Sequence, residues 1–208
     1  MKKSNTGSIR LFKNDFMESL THVHPITPLV FWSPVIIWLL KEGLTADGLD
    51  VMTFSNVALV ALLVWTFTEY FLHRFVFHYK ASSRFGKYII FLFHGIHHDD
   101  PSDKTRLVMP PVPAVIIVSG LYLFFKLFVP ALFLKTFMGW FLIGYLIYDY
   151  IHYATHHFPM TSAVGKYLRK WHLQHHHTKE SVQYGVSNPL WDYIFGTIPK
   201  RRKLPSES

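Results

Sequence analysis

The chain has 208 residues, half of them hydrophobic and 17% aromatic, with only 16% charged and a mean hydropathy of +0.19. That balance excludes disorder and disfavours an ordinary soluble domain, because so much apolar surface needs a lipid-facing home. With no cysteine, disulfides, thiolate catalysis and Cys-ligated metal sites are excluded, and a net charge of +8 at this hydropathy suits a membrane surface better than nucleic acid.

Residues 1–28 read as a polar, weakly amphipathic interfacial segment in which Leu11, Phe12, Phe16 and Leu20 share one helical face, without a secretion signal. Four apolar runs follow, roughly 26–40, 51–72, 109–129 and 131–150. The last three have about the 20 residues a helix needs to cross a bilayer core; the first is marginal and carries Pro28 and Pro34, as a kinked or shallow segment would. Pro110, Pro111 and Pro113 open the third run, where missing backbone donors are harmless, and Pro130 separates it from the fourth. Beyond it, 165–177 reads as a helix and 188–199 as a turn-rich aromatic segment. The expected fold is all-α and integral to a membrane: one domain over 29–208, with four transmembrane helices in two hairpins and a cytosolic helical cap from 73–108 and 151–208.

Charge supports this arrangement. All Lys and Arg except Lys41, Lys126 and Lys135 fall on the side carrying both termini and the 73–108 connection, and of the acidic residues only Glu42, Asp47 and Asp50 fall on the other. The positive-inside rule makes the basic side cytoplasmic.

Twelve of the fourteen histidines lie in four windows on that side: His73 and His78; His94, His97 and His98; His152, His156 and His157; His172, His175, His176 and His177. Residues three or four apart share a helix face, so His94 with His97 and His98, His152 with His156, and His172 with His175 and His176 are expected to converge. Adjacent histidines point about 100° apart and do not readily serve one ion, a difficulty that two neighbouring ions remove. His73 and His78, about 140° apart on an α-helix, need a partly unwound end to meet. Glu69, one turn before His73, and Asp149, three residues before His152, are candidates to accept the second ring N–H of a ligating imidazole. His22 and His24 read as interfacial fillers, and His177 as an overhang of its run. Imidazole suits iron, zinc, copper and nickel alike, but one zinc takes about four ligands, so ten or more candidates point to two ions.

The windows resemble the fatty acid hydroxylase superfamily, which includes the sterol desaturases, and within it the fatty acid 2-hydroxylase branch without a cytochrome b5 domain. The resemblance rests on HRFVFH (73–78), HGIHHDDPSDKTRLVMPP (94–111), YDYIHYATHH (148–157) and KWHLQHHHTKESVQYGVSNPLWDYIFGT (170–197). It implies an O2-dependent oxygenase holding two irons on His73, His78, His94, His97, His98, His152, His156, His172, His175 and His176, with His157 a further candidate; zinc is able to replace iron in purified protein. It further implies hydroxylation at C2 of a fatty acyl chain (free, thioester or ceramide-linked) lying in an apolar cleft between the hairpins. About 28 residues precede the first helix, and His24-Pro25 continues into Ile-Thr, not the Gly-Gly of a haem motif. The electrons are therefore expected from a separate donor, such as cytochrome b5 or ferredoxin with its reductase. A bacterial inner membrane or endoplasmic reticulum suits such a chain. The competing readings are a di-iron hydroxylase or desaturase of a sterol, carotenoid or other lipid, and a non-enzymatic metal-binding or transport protein. Transport sites lie near the bilayer midplane, whereas these clusters lie beyond the helix ends.

Overall fold

The structure, a computed structural model, describes residues 8–45, 47–178 and 182–199. Among these, every regular element is a helix: α1 (Asp15–Ser19), α2 (Thr27–Thr45), α3 (Val51–Phe71), α4 (Arg84–Ile90), α5 (Ile96–Asp99), α6 (Pro111–Phe125), α7 (Ala131–His157), α8 (Ala163–His177) and α9 (Leu190–Ile194). Lys2, Lys3, Lys179 and the basic run 200–203, all counted above toward the cytoplasmic charge, lie outside the described residues.

Local chemistry sets several boundaries. Asp50 caps α3 by accepting from the Thr53 N–H at 2.9 Å, and Ser162 caps α8 by accepting from Gly165 at 3.0 Å, each satisfying an orphan donor of a first turn. Among the described residues two helices, Val51–Phe77 and Ala131–His157, are long and apolar enough to cross a membrane. The first includes a π-helical continuation of α3 over Leu72–Phe77, and a second π-helical stretch, Phe91–Gly95, runs into α5. The 109–129 run is helical only over Pro111–Phe125, because prolines open it and the chain turns over 126–129 before Pro130. At 1.5 Å per residue α6 is about 22 Å long, shorter than a bilayer core of about 30 Å. Among the described residues that precede α2, only Asp15–Ser19 is helical. Leu11 and Phe12 fall outside the expected helical face, because their N–H groups donate to the Glu18 carboxylate at 2.9 and 2.8 Å.

Helix α7 is the axis, packed between α2 and α3. Its buried side carries Phe137, Phe141, Leu142 and Tyr145, of which Phe141 and Tyr145 meet Trp65 of α3 edge-on, at ring separations of 5.0 Å and 5.6 Å. Glycines permit the approach: a Cβ on Gly144 would lie 2.5 Å from Trp65, and one on Gly139 2.6 Å from Leu40. Small residues let backbones close in where lipid supplies no hydrophobic drive between helices. Outward, Val30, Ile37, Leu59, Leu63, Ile116 and Leu123 are exposed, an apolar girdle of the kind a soluble monomer avoids. At the opposite end from the histidines, Lys135 of α7 donates to Asp47 at 3.0 Å and to Glu42 at 3.4 Å, fastening the α2–α3 link to the start of α7.

Candidate metal centre

The histidine windows gather at the C-terminal ends of α3 and α7, roofed by α5 and α8. They form two groups whose ligand nitrogens all lie within 4.8 Å of one another: group one is His73, His78, His94, His98 and His175, and group two is His97, His152, His156, His172 and His176. His157 belongs to neither. The groups abut, with the rings of His98 and His176 stacked 4.1 Å apart.

The helical stretch carrying His94, His97 and His98, and helix α8, each divide their histidines by angle. His94 and His98, four apart, share group one, while His97 turns into group two; His172 and His176 share group two, while His175 turns into group one. The expected convergence of whole windows is thereby corrected: neither the 94–98 nor the 172–176 window meets at a single point, because adjacent residues diverge and the two neighbouring groups divide them. His152 and His156 do meet in one group. The π-turn solves the five-residue spacing of His73 and His78. It closes an i to i+5 bond, His78 N–H to His73 C=O at 3.1 Å, and brings their Nε2 atoms to 3.2 Å.

The donor set fits a metal. Neighbouring Nε2 atoms stand 3.0 Å apart for His73–His94, His94–His98 and His78–His175 in group one, and for His97–His152, His97–His176 and His172–His176 in group two. Imidazole nitrogens about 2.1 Å from a shared cation and at right angles to each other would be about 3.0 Å apart, against about 3.4 Å for a tetrahedron. Five neutral imidazoles aiming lone pairs at one point repel unless a cation sits among them. Burial, reinforced by the neighbouring imidazoles, holds His94, His97 and His172 well below the ordinary histidine value and lowers His176; His78 is pushed down to about 4 and His98 to about 3. The rings are therefore neutral near pH 7, the form that binds metals.

Neither Glu69 nor Asp149 takes the expected ring N–H. His73 Nδ1–H donates to the Tyr184 carbonyl at 2.6 Å and His175 Nδ1–H to the Val182 carbonyl at 2.7 Å. Glu69 instead accepts the N–H groups of Val186 (2.6 Å) and Ser187 (2.8 Å) and the Ser187 hydroxyl, because the 182–187 segment folds across its helix. Asp149 accepts from the Tyr145 hydroxyl at 3.3 Å. Asp192 stands in the quoted terminal motif but is absent from the candidates, because nothing in its spacing marks it. It is fully buried and accepts from Tyr184 N–H, Gly185 N–H and Thr197 Oγ1 at 2.7–2.8 Å.

Below the histidines opens an apolar cleft between α3, α6 and α7. His94, His97 and His152 border one end, Trp65, Met109 and Tyr145 flank it, and Ala114, Ile117, Val118 and Leu121 line its α6 wall. Arg106, also on its lining, is missing from the candidates because nothing in its spacing marks it. It is pinned by Glu18 at 2.5 Å and by the Ile9 carbonyl, so the N-terminal segment straps the cleft's histidine end.

The fatty acid hydroxylase family matches residues 58–197, a span that begins within α3 and takes in all ten grouped histidines. The chain belongs to that family. It is 37% identical over 195 residues to a dihydroceramide fatty acyl 2-hydroxylase of Arabidopsis thaliana, covering 91% of this chain and 80% of that one. It is also 32% identical over 211 residues to the fatty acid 2-hydroxylase of Rattus norvegicus, covering 91% and 56%. A solved structure of full-length scs7p, in which only the hydroxylase domain is visible, superimposes with a TM-score of 0.87 at 33% identity, covering 94% of this family member and 74% of that chain.

Proposed function

We propose that this membrane hydroxylase inserts a hydroxyl group at C2 of a fatty acyl chain, free, thioester or ceramide-linked, using O2 at a pair of irons. The observation that carries the reading is the juxtaposition of two abutting five-imidazole groups with one end of an apolar cleft. Group one and group two would each hold one ion, and the pair, reduced by an external donor such as cytochrome b5 or ferredoxin with its reductase, would supply the O2 chemistry. The protein's own contribution is positional. Trp65, Val118 and Leu121 shed water and hold the alkyl chain, while the His94, His97 and His152 edge limits how far the acyl head advances, so that one carbon is presented. Acyl 2-hydroxylation is the activity named for the relatives above, which supports it over a sterol or carotenoid substrate. The ten imidazoles cluster at helix ends and not along a transmembrane path, which weighs against transport. Four membrane crossings, with the metal centre facing the cytoplasm of a bacterial inner membrane or the endoplasmic reticulum, accord with the charge distribution.

The test is lipid mass spectrometry after expression in a host that makes fatty acids and ceramides, with iron and a reductase supplied. The expected product is one oxygen heavier, hydroxylated at carbon two, and missing with His175→Ala. Absence of any oxygenated lipid under every donor would refute the proposal.

A further inference from the structure

The two groups of imidazoles are held differently. In group one, His73 and His175 each give their Nδ1–H to a backbone carbonyl, which fixes the tautomer and aims Nε2 inward. In group two, the Nδ1 atoms of His172 and His176 are buried and have no hydrogen-bond partner among the described residues. The two carbonyls belong to Val182 and Tyr184, on either side of Gln183, whose φ of +62° and full burial make it a bracket that turns both carbonyls toward the histidines. That bracket is fixed from behind. Gln183 N–H donates to the Thr197 carbonyl at 2.8 Å and its side chain to Gln174 at 3.0 Å, while Asp192 holds the next two N–H groups and Glu69 the two after those.

We propose that the bracket 182–187 makes the two metal positions unequal, group one being the tighter, with Gln183 and Asp192 as its positioning residues. The inference rests on the reading that both groups hold metal. Outer partners of ligating histidines typically change metal affinity about 10–100-fold, and group one has two such partners where group two has two bare nitrogens. A positive φ is strained for glutamine and tolerated by glycine, so the backbone at 183, more than the side chain, is what the site requires.

The experiment loads the purified full-length protein with Zn2+ and dialyses it against chelators of increasing strength, counting ions per chain. Wild type is expected to take up two and to lose them in two steps, at least tenfold apart in chelator strength. His156→Ala, in group two, should keep the tight ion, and His78→Ala, in group one, should lose it. Asp192→Asn should weaken the tight ion about 10–100-fold and leave the weak one unchanged. Gln183→Gly should preserve the tight ion where Gln183→Val, which cannot easily adopt the positive φ, loses it; this pair stands if the Asp192 variant fails to fold. Two ions leaving in one step, or the group-two ion outlasting the other, would overturn the inequality while sparing the metal reading. No zinc uptake by the wild type would remove that reading and this inference together.

Discussion

A histidine ligates through an unprotonated nitrogen, so the depressed pKa values of the buried rings determine how metal binding responds to pH. With His78 near 4, His98 near 3, and His94, His97 and His172 well below the ordinary histidine value, these rings are neutral at pH 7 in the folded chain, each with one ring nitrogen free of a proton. Zinc binding at pH 7 should therefore release almost no proton, and calorimetry in two buffers of different ionisation enthalpy should give the same heat. The sign for stability follows from linkage. Unfolded histidines protonate near pH 6.5, whereas folded His78 and His98 do so only near 4 and 3, and His94, His97 and His172 are likewise held well below their unfolded value, so the metal-free protein should lose stability progressively as pH falls below about 6.5, with no comparable loss above it. His157 gives a contrasting test, since it lies in the same motif but outside both groups. His157→Ala should keep two metals per chain and His176→Ala should lose one, read by elemental analysis. Of this centre, the sequence makes the divergence of neighbouring histidines legible, because 100° per residue is local geometry. The partition of His97 from His94 and of His175 from His172 is not legible, nor are the carbonyls of Val182 and Tyr184, which depend on a backbone turn that no side chain announces.

At the level of elements, strongly apolar runs and polar caps predict helices well. The 51–72 and 131–150 runs become α3 and α7, and Asp50 opens the first of them as a short acidic residue at a cap should. The π-helical end of α3 is visible only as a contradiction, His73 and His78 being five apart where an α-helix would separate them. The shortness of α6 is hidden because hydropathy does not register the turns at 126–129. Packing at the axis has its own requirement. Because a Cβ at residue 144 would meet Trp65 Cγ at 2.5 Å and its Cβ at 2.7 Å, Gly144→Ala must push the α3 indole away from Phe141 and Tyr145. Overpacking of this kind costs about 1–3 kcal/mol. The variant should melt earlier in detergent than wild type, and, since α3 and α7 carry His73 and His152 at their ends, it should also lose metal at a lower chelator strength.

For the whole molecule, the histidine centre and the Lys135–Asp47–Glu42 cluster occupy opposite ends of the bundle, so a single orientation in the membrane puts them on opposite sides. The chain contains no cysteine, which allows a clean assay: Ser82→Cys, on the histidine side, should be shielded from an impermeant thiol reagent in intact cells, and Leu127→Cys should be labelled. The cleft makes the second whole-molecule prediction, because its α6 wall is a ruler with its zero at the histidines. Ala114 lies near that zero and Leu121 seven residues further along, about 10 Å at 1.5 Å per residue. An indole at 114 would fill the cleft close to the metal centre and obstruct every acyl chain. An indole at 121 would block only the distal part, leaving short chains room to reach the same register and long ones none. Ala114→Trp should therefore lower 2-hydroxylation of all chain lengths together, whereas Leu121→Trp should remove the longest products and spare the shortest, with metal content unchanged in both. If Leu121→Trp reduced all lengths equally, the acyl chain would not run along α6, and its path would have to lie outside this cleft.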